Sequence, residues 1–252
     1  MRLNLKPLIA LLALTALIIS CGGGEGGPTK EVIEETHPNG SKKKVNQYAG
    51  KNVVRTTIFF EDGKVQSDRF FKGGKPDSSM TIYYPDGSMS QQTFFADSVK
   101  HGPEKAWHRN GQLSREAEFV RGVSTGRSAT YFEDGKVAME VTFVEGRKHG
   151  DETEYFSNGN KKRVRPFVSG EIDGLEQEFF DNGKIKVEHT YVKGVLNGPF
   201  KFYHERTGRV IEDGEYLKGQ YHGKRAMYDE RSGRKRSEAT YEHGERVFGE
   251  FF

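Results

Sequence analysis

Three of the eight histidines, His101, His149 and His222, each stand immediately before the glycine that opens a repeat unit. Imidazole is suited to proton transfer near neutral pH and to metal binding, so these residues are the first candidates for chemistry. Their spacing argues against it. They occupy one column of a repeat, and Asp173 and Asn197 fill that column in other copies. If the repeat is a hairpin, His101 and His149 lie four strands apart, roughly 19 Å at about 4.8 Å per strand, too far to share one ion. His108 and His204 fall in an aromatic column and read as packing variants. No Ser, Asp or Glu sits in a nucleophile elbow, a P-loop or a paired-carboxylate motif. The glycines open no helix, so they read as turns and not as phosphate cradles. The sequence predicts no enzyme, no metal and no cofactor.

The remaining reactive side chain is Cys21, the single cysteine of 252 residues. It follows "MRLNLKPLIALLALTALIIS", two basic residues and then an apolar run from Leu8 to Ile19. That run is too short to span a bilayer and suits a secretory signal peptide. Ile18-Ile19-Ser20-Cys21 resembles the lipobox of bacterial lipoproteins, which implies cleavage before Cys21 and acylation of its thiol. Residues 1–20 are therefore expected to be the signal and 21–30 a lipidated Gly-rich tether. The rest, 31–252, is a repeat domain. The protein is expected to be exported and lipid-anchored to a bacterial cell envelope, at the outer membrane if the envelope is Gram-negative, since Gly22 stands where an Asp would retain it.

Whatever these residues do, a fixed period positions them. Glycines recur at Gly40, Gly63, Gly87, Gly111, Gly135, Gly159, Gly183, Gly208 and Gly233, in steps of 23, then 24 five times, then 25 twice. Such self-similarity marks an array. One aromatic column reads Phe59, Tyr83, Trp107, Tyr131, Tyr155, Phe179, Tyr203 and Tyr228, and a second runs from Phe71 to Tyr241. Most of the recurring glycines follow Asn or Asp, as in "YFEDGK" and "YFSNGN", the signature of a tight hairpin with a two-residue type I′ turn. "HERTGR" and "DERSGR" place the extra residue of the 25-residue units at that turn. The predicted fold is all-β: an elongated array of about nine stacked β-hairpins forming one long, twisted antiparallel sheet. Only four leucines lie beyond the signal, and no 3.6-residue periodicity supports helices.

The two-residue register makes further predictions. Glu154 should face Arg163 and Glu152 should face Arg165, as opposite-charge pairs on a solvated sheet. Phe132, Val137, Met139, Val141 and Phe143 should share a core face. Tyr131 should lie on the other face with Arg127, Lys136, Glu140 and Thr142. That second face then carries the eight-member column from Phe59 to Tyr228 at intervals of about 10 Å, as packing ladder or as partner-binding stripe. Removing Arg2 and Lys6 with the signal leaves 37 basic against 36 acidic residues. No nucleic-acid footprint is present.

The stretches "GEYLKGQYHGKRAMYDE", "YVKGVLNGPFKFY" and "FVEGRKHGDETEYF" resemble MORN repeats, and the 24-residue period resembles the bacterial variant found in exported lipoproteins and in YwqK-type antitoxin proteins. The resemblance covers nearly everything from residue 39 onward. It implies a sheet of stacked hairpins and a role in scaffolding, partner binding or membrane association, without catalytic residues. The expected function is a non-enzymatic lipid-anchored scaffold that meets a protein partner. The alternative is an antitoxin-like inhibitor of one toxin protein.

Overall fold

The computed structural model describes residues 29–252. The signal peptide, Cys21 and most of the tether lie outside the described residues. Among the described residues every regular element is a strand, from β1 (Thr29–Thr36) to β20 (Glu245–Phe251). Each run of chain pairs antiparallel with the next, giving one meandering twenty-stranded open sheet. β13 (Glu171–Ile172) and β14 (Gly174–Phe179) are one run interrupted at Asp173, and both pair with β12 (Lys161–Val168). This is the predicted array of hairpins.

The period has a structural account. The nine-residue β9 (Val123–Tyr131), five connecting residues 132–136, the eight-residue β10 (Val137–Val144) and a two-residue turn at 145–146 make up 24. In the 25-residue units the connection grows to six residues, His204–Arg209 and Asp229–Arg234, closed by the same backbone bonds. The extra residue sits at the loop, as expected, and leaves the strands in register.

The turn chemistry differs from expectation. At Asn158-Gly159 the Phe156 N–H donates to Asn160 O at 2.8 Å and the Gly159 N–H to Phe156 O at 2.9 Å, so the loop holds three residues. Only Gly159 has positive φ, +92°, which is the pattern of a turn followed by a left-handed bulge glycine. The true type I′ turns lie at the opposite end of the sheet. There Glu145-Gly146 has φ of +49° and +77° and Lys193-Gly194 has +48° and +79°, with Val144 pairing Arg147 and Val192 pairing Val195. Asn-Gly and Asp-Gly serve either geometry, because Gly supplies the left-handed residue in both.

Despite the different loop, the predicted cross-strand pairs are present: Glu154 faces Arg163 and Glu152 faces Arg165. A one-residue bulge between Glu154 and Tyr155 offsets the extra loop residue. Next to the loop the prediction fails. Val137 pairs with Tyr131 and not with Phe132, whose N–H instead donates to Lys136 O.

A further irregularity sits in mid-strand. In β11 (Arg147–Tyr155) the partners of Thr142 and Glu140 are His149 and Thr153, so Gly150 opens a bulge in β11, with φ +79°. Gly102, Gly126, Gly198 and Gly223 repeat it, and Ser78 holds the same column at φ +68°. Burial is also not confined to one face. Val141 is 4 % exposed, yet Ala129, on the tyrosine face, is 1 % exposed. In a single-layer sheet a strand-centre residue is covered by long side chains from neighbouring strands, and that cover forms on both faces.

Candidate interaction surface

All eight members of the column Phe59, Tyr83, Trp107, Tyr131, Tyr155, Phe179, Tyr203 and Tyr228 are half-buried, each near the loop-end terminus of its strand. Four of the five tyrosines share a bonding pattern. The Tyr131 hydroxyl donates to Glu116 Oε1 at 2.5 Å, Tyr155 to Glu140 at 2.8 Å, Tyr203 to Glu188 at 2.7 Å and Tyr228 to Asp213 at 3.1 Å. In each case the acid lies on the preceding strand, across the two-residue turn. Arg127 adds a clamp, donating through Nε to Glu140 at 3.0 Å and through a terminal nitrogen to Glu116 and Tyr131. Burial, followed by the hydrogen bond to the acid, raises the phenols of Tyr131, Tyr155 and Tyr203, the last to about 12. The Tyr155 hydroxyl, followed by Arg127, lowers the Glu140 carboxyl. These tyrosines remain protonated at neutral pH and act as donors.

Phe59, Tyr83, Trp107 and Phe179 have no such anchor. The column is thus one of two kinds of ring: some locked to acids, others held by packing alone.

The sequence-predicted histidines separate. His101 and His149 are exposed on β7 (Val99–Trp107) and β11. His108 Nε2 lies 2.8 Å from Tyr131 O and His37 Nε2 2.9 Å from Phe59 O, so both brace a neighbouring hairpin. No set of three His, Cys, Asp or Glu side chains gathers as a metal site among the described residues.

The mid-strand bulge builds a second constellation that the sequence reading did not anticipate. It brings Lys148 and Glu152 into contact, and Arg165 reaches Glu152 from the next strand. The Lys148 Nζ also lies 4.9 Å from the centre of the Phe167 ring. The Glu152 side chain has no exposed surface, so the carboxylate of this predicted pair is buried while Arg165 reaches it from the partly exposed surface. Lys100, Glu104 and Phe119 repeat the arrangement, with Glu104 4 % exposed. The visible signal was a glutamate two residues after the bulge glycine, at Glu104, Glu152 and Glu176.

Three segments of the chain, 100–121, 148–168 and 172–193, match the MORN repeat variant. They contain those three glutamates. These are MORN-variant repeats. The MORN repeat is broadly a unit of protein or membrane interaction. The unmatched units keep the meander of strands, with a longer loop after Phe200, and change the residue at this position: half-buried Ser128 and buried Phe200 stand where Glu104, Glu152 and Glu176 do.

No curated protein matches significantly. Among solved structures, a porin-like protein from Bacteroides uniformis is 13 % identical with a TM-score of 0.19, over 82 % of this chain and 91 % of that one. A chain of the TcdB2-TccC3-Cdc42 complex is 10 % identical with a TM-score of 0.15, over 85 % of this chain and 17 % of that one. Scores this low bear on neither fold nor function.

Proposed function

We propose that this protein is a non-enzymatic scaffold, held to a bacterial envelope membrane by lipid on Cys21, that offers its aromatic column to a protein partner. The observation that carries the reading is the column itself. Eight half-buried rings recur once per 24- to 25-residue unit, about 10 Å apart, four of them bonded to fixed carboxylates. Rigid aromatic rings of this kind give contact area at low entropic cost, and Trp and Tyr are enriched at binding hot spots. The single-Cys motif after an apolar leader supports the anchor.

Two experiments test the parts separately. Cys21→Ser should move the protein from the membrane to the soluble exported fraction, and equal membrane retention would overturn the anchor. Trp107→Ser with Phe179→Ser, at rings that hold no acid, should abolish capture of an envelope partner with little change in Tm. A large fall in Tm would instead make these rings structural, and the binding role would be dropped.

A further inference from the structure

The last three strands carry a row of paired residues. Arg225 on β18 (Gln220–Tyr228) faces Ala239 on β19 (Lys235–Glu242), and Ala239 faces Gly249 on β20. Gly249 does not have positive φ, so its backbone does not call for glycine. Its use is spatial. A Cβ there would collide with the Arg246 guanidinium, which lies across the Gly249 backbone. Gly214 is the other described glycine with ordinary φ, and the Phe200 ring covers it in the same way. At Ala239 no side chain occupies the equivalent space. A cavity of about 140 Å³ opens there, with Arg225 and Arg246 in its wall and Met227, Tyr241 and Phe251 beside them.

The charges in this wall do not balance. Arg225 donates through Nε to Glu212 at 2.7 Å and lies 4.6 Å from the Tyr221 ring centre, so it is held and partly neutralised. Glu238, also in the wall, is engaged by Lys224 and Lys235. Arg246 stacks 5.8 Å from the Phe251 ring centre and meets no carboxylate within ion-pair distance among the described residues. Of the two guanidiniums in the wall, Arg246 is the one left without a carboxylate among the described residues.

We propose that this cavity binds a carboxylate whose carbon body sits against Met227, Tyr241 and Phe251. A guanidinium fork matches the two oxygens of a carboxylate, and one unpaired guanidinium suits a monoanion better than a phosphate dianion. A volume near 140 Å³ holds a benzene-sized group. The source is either a free organic acid or an acidic side chain of a peptide.

Calorimetric titrations at constant ionic strength decide, using benzoate, N-acetylglutamate amide and inorganic phosphate as probes. Saturable benzoate binding supports a free acid, and preference for the glutamate amide supports a peptide side chain. Arg246→Gln should weaken the bound carboxylate roughly tenfold or more. Ala239→Leu, which fills the cavity and keeps both arginines, should do the same, while Arg121→Gln, in the turn just before β9, should leave binding unchanged. Binding of neither carboxylate, tighter binding of phosphate, or equal binding by Ala239→Leu would overturn the proposal.

Discussion

Glu152 and Phe200 stand 48 residues apart, two periods, and each is 1 % exposed. Around Glu152 the sheet assembles ions: Lys148 from the same strand and Arg165 from the next, with Arg165 also 3.0 Å from Glu154. Around Phe200 it assembles rings. Tyr216 lies 4.8 Å away, and His189, Phe202 and Tyr221 lie between 5.7 and 6.3 Å. In these two units the same position is buried, under ions in one and under rings in the other. Apolar burial adds stability directly, whereas a buried ion pair offsets its desolvation cost only while both partners are present. The aromatic end should be the stable end of the array, and the ionic middle the part most sensitive to losing a single charge.

The largest effect expected is at the aromatic site. Phe200→Ala removes the ring over Gly214 and should cost about 3–5 kcal/mol in urea unfolding. A loss under about 1 kcal/mol would remove the contrast. Glu152→Gln keeps the shape and deletes the charge, leaving Lys148 and Arg165 facing a neutral amide, and should cost about 1–3 kcal/mol. An unchanged midpoint would mean that these ions act as an exposed pair.

The next effect is smaller and of opposite sign. Ser78 and Ser98 hold left-handed φ of +68° and +74° in columns where other units use glycine. Ser78→Gly and Ser98→Gly should each stabilise by about 0.5–1 kcal/mol in thermal melts. No change would show that the serine side chains already relieve the strain.

The smallest effect is in pH dependence on the tyrosine face. The Glu140 carboxyl is lowered by the Tyr155 hydroxyl and then by Arg127. A depressed folded pKa gives stability that is present above the unfolded carboxylate pKa and is lost as pH falls through the folded value. Glu140→Gln should therefore flatten the acid limb of a Tm–pH curve below about pH 4.5 and leave its alkaline limb in place. An unaltered acid limb would contradict the ladder's bonding.

The array, its strand order and its central register were legible in the sequence because spacing alone encodes them. The pairs Glu154–Arg163 and Glu152–Arg165 were predicted from a two-residue turn that the protein does not use. They survive because the bulge beside Tyr155 cancels the longer loop. The real type I′ turns were hidden because Arg121, Glu145, Ser169, Lys193 and Lys218 adopt left-handed φ without being Asn or Asp. Burial of Glu152 was hidden for a different reason. In a one-layer sheet a residue is covered by its neighbours, and here the Gly150 bulge recruits Lys148 to the site. The aromatic column was visible as a period, but its split between acid-bound tyrosines and rings held by packing depends on which strand supplies an acid. Cys21 and its leader lie outside the described residues.

The central claim is that one 24-residue unit, two strands with a loop and a turn, is the quantum of this fold, and paired deletions test it most directly. Deleting 123–146 joins Gly122 to Arg147 and replaces one strand start by the equivalent start of the next unit. Each unit contacts mainly its neighbours, so thermal unfolding followed by circular dichroism should show a shorter sheet with a cooperative melt. Deleting 124–146, 23 residues, shifts one strand by a residue and turns its side chains to the opposite face, which should lower Tm sharply or abolish the transition. Equal melts for the two deletions would contradict the account.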